Sequence, residues 1–176
     1  TETTPIAPRG SYGLAKYAGE KLLEWASLAR DVPFLSLRLT GIYGPGDPHG
    51  AYGPNSFARG LSAQRRIGLF GNGEEMRDHL YVDDVGRLAA AMIQSTTTGI
   101  LNLATGQSRS FAEIVQMVRE VVPYDVHVWE MRRVGPITHR QFDTTRLTGV
   151  VPDFIFTPFQ DGLQATLRAF GAIPWA

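Results

Sequence analysis

Cysteine is absent from this sequence, so neither a disulfide framework nor a thiolate metal site is open to it. An excess of charge is missing too: 17 basic residues stand against 17 acidic ones. Nucleic acid and anionic membranes both favour a basic excess, so neither is expected as a partner. No apolar run approaches the roughly 18–20 residues of a membrane span and no secretory signal opens the chain, which makes the cytoplasm the expected compartment. The four histidines (His49, His79, His127 and His139) form no i, i+4 pair and no cluster with carboxylates, and no metal is expected. No Gly-x-Gly-x-x-Gly fingerprint occurs. Gly71-Asn-Gly73 comes nearest, but Met76 stands at the third position and Glu74-Glu75 would face the phosphates, so the segment reads as a turn.

What is present begins with Tyr12-Gly-Leu-Ala-Lys16. A tyrosine and a lysine at i and i+4 share one helix face. There the ammonium can favour phenolate and let Tyr12 act as an acid/base near neutral pH. Ser11 is a candidate N-cap for a helix over about 12–30, on which Leu14, Ala18, Leu22 and Trp25 make an apolar stripe offset from the Tyr12/Lys16 pair. After Pro33, Phe34–Leu39 suits a buried parallel strand running into Thr40-Gly-Ile-Tyr-Gly-Pro-Gly46, whose glycines and proline should stop regular structure. A strand running into a Gly-rich loop is where open α/β sheets place ligands.

Beyond a loop at 47–54, the pattern predicts a helix at about 55–65, strands at 67–70 and 79–82, a helix capped by Asp83 or Asp84 and reaching about Ser95, and a strand at 99–104. Ser110-Phe-Ala-Glu113 has the form of a capping box and opens a helix to about Val121, followed by a strand at 124–131 and a terminal helix at 158–170. Alternating strands and helices make the class α/β.

Several motifs then fall in order along the chain. Pro8 precedes Tyr12, Gly13 follows it, Glu20 lies one turn beyond Lys16, and Leu37-Arg38 leads to Ile42-Tyr-Gly-Pro-Gly46. With Gly71-Asn-Gly73, Arg77-Asp78-His-Leu-Tyr-Val-Asp-Asp84, Gly99-Ile-Leu-Asn-Leu-Ala-Thr-Gly106, Arg132-Arg133-Val-Gly135 and Asp143, the chain resembles the NAD-dependent nucleotide-sugar epimerase/dehydratase family of extended short-chain dehydrogenase/reductases along nearly its whole length. The resemblance implies the C-terminal part of a Rossmann-like doubly wound parallel sheet plus a small α/β substrate-binding domain. Residues 1–50 would end the Rossmann-like domain. Residues 51–176 would be mainly substrate domain, with about 78–104 returning to the first. The family's Gly-rich phosphate loop, ribose-binding acid and catalytic Ser/Thr are expected upstream of Thr1, which makes the chain a fragment, inactive alone. The strand at 34–39 would then present an uncovered edge.

The resemblance also assigns roles. Tyr12 takes the proton of a sugar hydroxyl while hydride passes to NAD or NADP, giving a keto-sugar, and Lys16 tunes Tyr12 and bonds the nicotinamide ribose. Leu39 and Ile42 lie near the nicotinamide. Arg77 and Arg133 clamp the diphosphate of a nucleotide-sugar, Asn55, Ser56 and Phe57 run along the nucleotide, Gly68 and Phe70 flank the base, and Arg140 reaches the sugar or the nucleotide. Arg38 supports the sheet edge. The helix at 12–30 serves as a homodimer element in the parent protein. Read without the resemblance, Arg77 and Arg133 are surface arginines paired with Asp78 or Glu130. Gly41 stands where many members carry Asn, and Pro136 and Ala104 also depart from the pattern, which leaves the sugar open. An epimerase is the expected activity. The alternatives are a dehydratase or reductase of the same family, a reductase of a non-nucleotide carbonyl compound, or a non-catalytic nucleotide-sugar binding domain.

Overall fold

The computed structural model describes residues 1–48 and 53–174, so His49 and positions 49–52 of the expected loop lie outside the described residues. Helix α1 (Ser11–Arg30) begins one residue earlier than the cap reading predicts: Gly10 is its N-cap, no side chain caps it, and Ser11 is its first helical residue. At the other end Asp31 adopts a left-handed conformation at φ 52°, and Val32 donates its N–H back to Ser27 O at 3.1 Å, which closes the last carbonyls. The helix contains no buried residue, and Leu14, Leu22, Trp25 and Leu28 all face solvent. Its firmest attachment is polar. Arg38 grips Glu20 with two bonds (Nη2 to Oε1 at 2.6 Å, Nε to Oε2 at 2.9 Å), and Ser36 Oγ adds a third at 2.7 Å. The Arg38 bonds are the main reason the Glu20 carboxyl lies below its ordinary pKa.

Strand β1 (Leu35–Leu39) pairs in parallel with β5 (Gly99–Leu103), Leu35 opposite Gly99 and Leu39 opposite Leu103. It is half-buried rather than buried, because among the described residues only one of its edges is paired. The Gly-rich segment that follows was expected to hold no regular structure, yet β2 (Gly41–Tyr43) forms there. It pairs in parallel with β4 (Met76–Tyr81), Gly41 opposite His79. Tertiary pairing overrides the glycine signal because Tyr43 is drawn into the core, with 1% of its surface exposed and its hydroxyl donating to Phe159 O at 3.3 Å.

Helix α2 (Gly53–Gln64) leads to β3 (Arg66–Phe70), which pairs in parallel with β7 (His127–Met131), Gly68 opposite Trp129 and Phe70 opposite Met131. The turn after β3 needs its glycines, since Gly71 and Gly73 take φ 57° and 75°. Helix α3 (Val82–Gln94) is not capped by Asp83 or Asp84. Tyr81 is its N-cap, and Asp84 points away to accept from Thr157 N at 2.9 Å and Thr157 Oγ1 at 2.8 Å, with Arg87 beside it. The capping box of α4 (Phe111–Val121) is complete: Glu113 N donates to Ser110 Oγ at 3.1 Å and Ser110 N to Glu113 Oε2 at 2.6 Å.

Three short elements escape the sequence pattern. They are β6 (Ser108–Ser110), antiparallel to β4 with Met76 opposite Ser110, then α5 (Thr145–Val150), then β2 itself. The chain closes with α6 (Phe159–Ala169).

Two apolar clusters hold this arrangement. In one, Tyr43, Phe57, Leu61, Ile67 and Leu69 meet Ile114, Val118, Leu163 and Leu167, so that α2, α4 and α6 close over β3. In the other, Leu80, Leu88, Leu101, Leu103 and Leu147 pack between α3, β5 and α5. No helix among the described residues is long and apolar enough to cross a membrane. Since Ser110 caps and Ser11 does not, Ser110→Ala is expected to lower stability by about 1 kcal/mol and Ser11→Ala by only a few tenths. Urea midpoints of the two variants check this.

Candidate functional site

The β3–β7 ladder carries the first group of predicted residues. Gly68 lies on the floor of a pocket of about 320 Å³ walled by Trp129 and Met131 on β7 and by Ser56, Arg59 and Gly60 on α2. A Cβ at position 68 would stand 2.9 Å from Met131 Sδ and 3.1 Å from Trp129 Cε2, so only glycine leaves this floor flat. Phe70, two residues on and about 7 Å further along the strand, is 51% exposed.

At that end of the ladder the chain gathers charge. Arg133, two residues past Met131, donates from Nη2 to Phe70 O at 2.6 Å and to Glu74 Oε2 at 2.9 Å. Its Nη1 lies 3.2 Å from Glu75 Oε1. Arg77 on β4 lies 3.6 Å from Glu75 Oε2 through Nη2, which also donates to Thr138 Oγ1 at 3.1 Å. Its Nη1 donates to Met76 O at 2.8 Å and to the Thr138 carbonyl. The arginines are therefore not paired with Asp78 or Glu130. β4 puts Arg77 and Asp78 on opposite sides of the strand, and the acids of the preceding turn meet both guanidiniums.

Arg140 joins the same neighbourhood. Its N–H donates to Met76 O at 3.0 Å and its carbonyl accepts from Ser108 Oγ at 2.7 Å. Burial, then the nearby positive charge of Arg140 and Arg133, lowers the Arg77 pKa against the opposing pull of Glu75. Glu74 is held below its ordinary range by backbone N–H groups, its own first, and by Arg133. Two guanidiniums meeting two carboxylates, with Arg140 charge nearby, make a site that suits an anion.

Other predicted residues sit elsewhere. Tyr12 and Lys16 do form a pair on α1, with Lys16 Nζ 5.6 Å from the centre of the Tyr12 ring, but Tyr12 is 74% exposed. Leu39 ends β1 with 41% of its surface exposed, and Ile42 is half-buried in β2. Asn55 is fully buried, and both ends of its amide are used by the chain itself: Oδ1 accepts from Gly44 N at 3.0 Å and Nδ2 donates to Asp47 Oδ2 at 2.8 Å. Phe57 is a core residue edge-on to Phe111. Of the three residues expected along the nucleotide, Ser56 alone reaches the pocket. Among the described residues no group of three His, Asp or Glu side chains could hold a metal ion.

Sequence reading missed Glu75 and Thr138, which tie the two arginines together. The signal was the Glu74-Glu75 pair beside Arg77, read there only as an argument against phosphate binding by the turn.

The NAD dependent epimerase/dehydratase family model matches residues 1–104, more than half of the chain. The chain belongs to this family. A putative UDP-glucose 4-epimerase of Methanocaldococcus jannaschii is 32% identical over 126 residues, covering 70% of this chain and 41% of the relative. The UDP-glucose 4-epimerase of Mycolicibacterium smegmatis is 28% identical over 176 residues, covering 97% of this chain and 56% of its own length. Among solved structures, the Thermus thermophilus UDP-glucose 4-epimerase in complex with NAD superposes with a TM-score of 0.82 at 27% identity, covering 97% of this chain and 57% of that one. The epimerase/dehydratase chain thus spans about half the length of the curated relatives it matches. Its mixed architecture with parallel strand pairs is that of the Rossmann-fold members of extended short-chain dehydrogenase/reductases.

Next to Arg77 on β4, two buried titratable groups are set against each other. Burial pushes His79 down to about 4, helped by the charges of Arg77 and Arg109, and leaves its Nδ1 without a partner among the described residues. Burial raises Asp78. The folded state thus keeps His79 neutral, and its contribution is whole above the unfolded pKa near 6.5 and lost as pH falls toward 4. Asp78 works in the opposite sense, gaining stability on acidification. His79→Phe removes the histidine part alone. From pH 7 to about 4 the wild type is expected to lose on the order of 3 kcal/mol more than this variant. Urea unfolding at three pH values checks it.

Proposed function

We propose that this chain is part of an NAD(P)-dependent nucleotide-sugar epimerase in which the β3–β7 end binds the nucleotide diphosphate. The observation that carries the reading is the Arg77–Arg133 pair joined through one carboxylate, a strand's step from a flat-floored pocket beside Trp129. A base stacked on Trp129 over Gly68 would place its diphosphate toward the two guanidiniums, whose forked donors suit phosphate oxygens. Arg140 adds charge toward the sugar.

Tyr12 is the acid/base that takes the proton of a sugar hydroxyl as that carbon becomes a ketone, and returns it when the ketone is reduced. Lys16, one turn away on α1, supports the phenolate and hydrogen-bonds the nicotinamide ribose. The exposed Tyr12/Lys16 pair and the strand ends at Leu39 and Ile42 fit the nicotinamide end of NAD or NADP, while the sequence contains no glycine-rich loop for its diphosphate. When bound, that cofactor supplies the hydride acceptor and donor.

Residues 1–50 then belong to the end of the Rossmann-like domain and 51–176 mainly to the substrate domain, with about 78–104 returning to the first. The clamp favours a nucleotide-diphosphate sugar over a neutral carbonyl substrate, which would leave both arginines paired only with the chain's own acids. In the parent protein we place α1 at a homodimer contact, since Leu14, Leu22, Trp25 and Leu28 are exposed along it. The isolated chain is expected to bind UDP measurably by calorimetry and to leave UDP-glucose unchanged when NAD is supplied. Arg77→Ala and Arg133→Ala should each weaken UDP binding about tenfold or more. Unchanged affinity in both variants overturns the reading.

A further inference from the structure

We propose that Glu75 is an intramolecular anion that competes with the ligand's diphosphate for the Arg77–Arg133 pair and so sets the affinity of that site from within. This rests on the diphosphate reading of the two arginines. Among the described residues, Glu75 is the one carboxylate paired with both. Oε1 lies 3.2 Å from Arg133 Nη1 and Oε2 lies 3.6 Å from Arg77 Nη2, so its two oxygens span the guanidiniums as two phosphate oxygens would. Its side chain is 17% exposed and those of Arg77 and Arg133 21% and 20%, which places the three-way contact in a partly dried setting where charge acts strongly.

The alternative role for such a carboxylate is to position the arginines. The remaining contacts argue against it. Arg133 is anchored through Nη2 by the Phe70 carbonyl and by Glu74. Arg77 is anchored through Nη1 by the Met76 and Thr138 carbonyls and through Nη2 by Thr138 Oγ1. Both guanidiniums are thus oriented without Glu75, which contributes mainly charge. It also accepts from Thr138 N at 3.2 Å, a bond that a neutral amide oxygen can replace. Thr138 belongs to residues 132–140, a stretch with neither helix nor strand, held down by this bond, by Arg133, by Met76 N donating to His139 Nδ1 at 3.3 Å, and by the Arg140 backbone. A diphosphate entering the clamp displaces one carboxylate from two cations and leaves the other anchors in place.

The sign of one substitution separates competitor from positioner. Glu75→Gln keeps the shape and the Thr138 bond but removes the charge. UDP is titrated calorimetrically into wild type, Glu75→Gln, Glu75→Asp and Arg133→Ala, each first shown to unfold at a comparable urea midpoint. The competitor role requires Glu75→Gln to bind UDP about tenfold more tightly than wild type, with the gap narrowing at about 0.5 M NaCl. It also requires Glu75→Asp, which keeps the charge, to stay near wild type. Equal or weaker binding by Glu75→Gln, or the same gain in Glu75→Asp, overturns the proposal while loss of binding in Arg133→Ala leaves the clamp standing. If neither wild type nor Glu75→Gln binds UDP, or if Arg133→Ala binds as wild type does, the clamp reading itself falls.

Discussion

Strand β4 is paired along its whole length, with β6 over Met76–Asp78 and with β2 over His79–Tyr81, and most of the site's chemistry follows from that constraint. With Tyr81 in one apolar cluster and Leu80 in the other, the strand buries Asp78, His79, Leu80 and Tyr81 in succession. Asp78 keeps one oxygen satisfied by the Thr105 N–H at 3.1 Å and the other unpaired among the described residues. His79 is forced to be neutral. Arg77, one residue before this buried stretch, is only half-buried and meets Glu75, which also contacts Arg133 just past β7.

The pocket beside Trp129 is built on the β3–β7 ladder, whereas Arg77 comes from β4 and Arg133 from the irregular segment just past β7. The pocket takes its rigidity from β3 and β7, while both guanidiniums meet the acids of the Gly71–Glu75 turn.

Much of this was legible beforehand. Helices α1, α2, α4 and α6 and strands β1, β3, β5 and β7 lie within a few residues of where periodicity put them, and the Ser110–Glu113 box is bonded as its spacing required. The family, too, followed from ordered motifs. What was hidden depended on partners distant in sequence. β2 exists because β4 offers it a ladder and the core accepts Tyr43, and neither fact is visible in a run of glycines. Asp84 leaves the helix end to bond Thr157, a residue far along the chain. In the site, the resemblance rather than spacing singled out Arg77, Arg133, Asn55 and Phe57. Their contacts within the chain were hidden because the partners are distant in sequence or in the fold: Glu75 between the two arginines, Gly44 and Asp47 on Asn55, and Phe111 against Phe57.

Helix α1 carries Tyr12 and Lys16 but no buried side chain, and among the described residues it packs on no other element by more than a point contact. In proteins most helical stability comes from packing an apolar face, and α1 packs none among the described residues. Its order therefore draws on the Glu20–Arg38 grip, and on whatever surface comes to lie over Leu14, Leu22 and Trp25. A partner that buries this face would stabilise the helical state by its own binding energy, and with it the i, i+4 spacing of Tyr12 and Lys16.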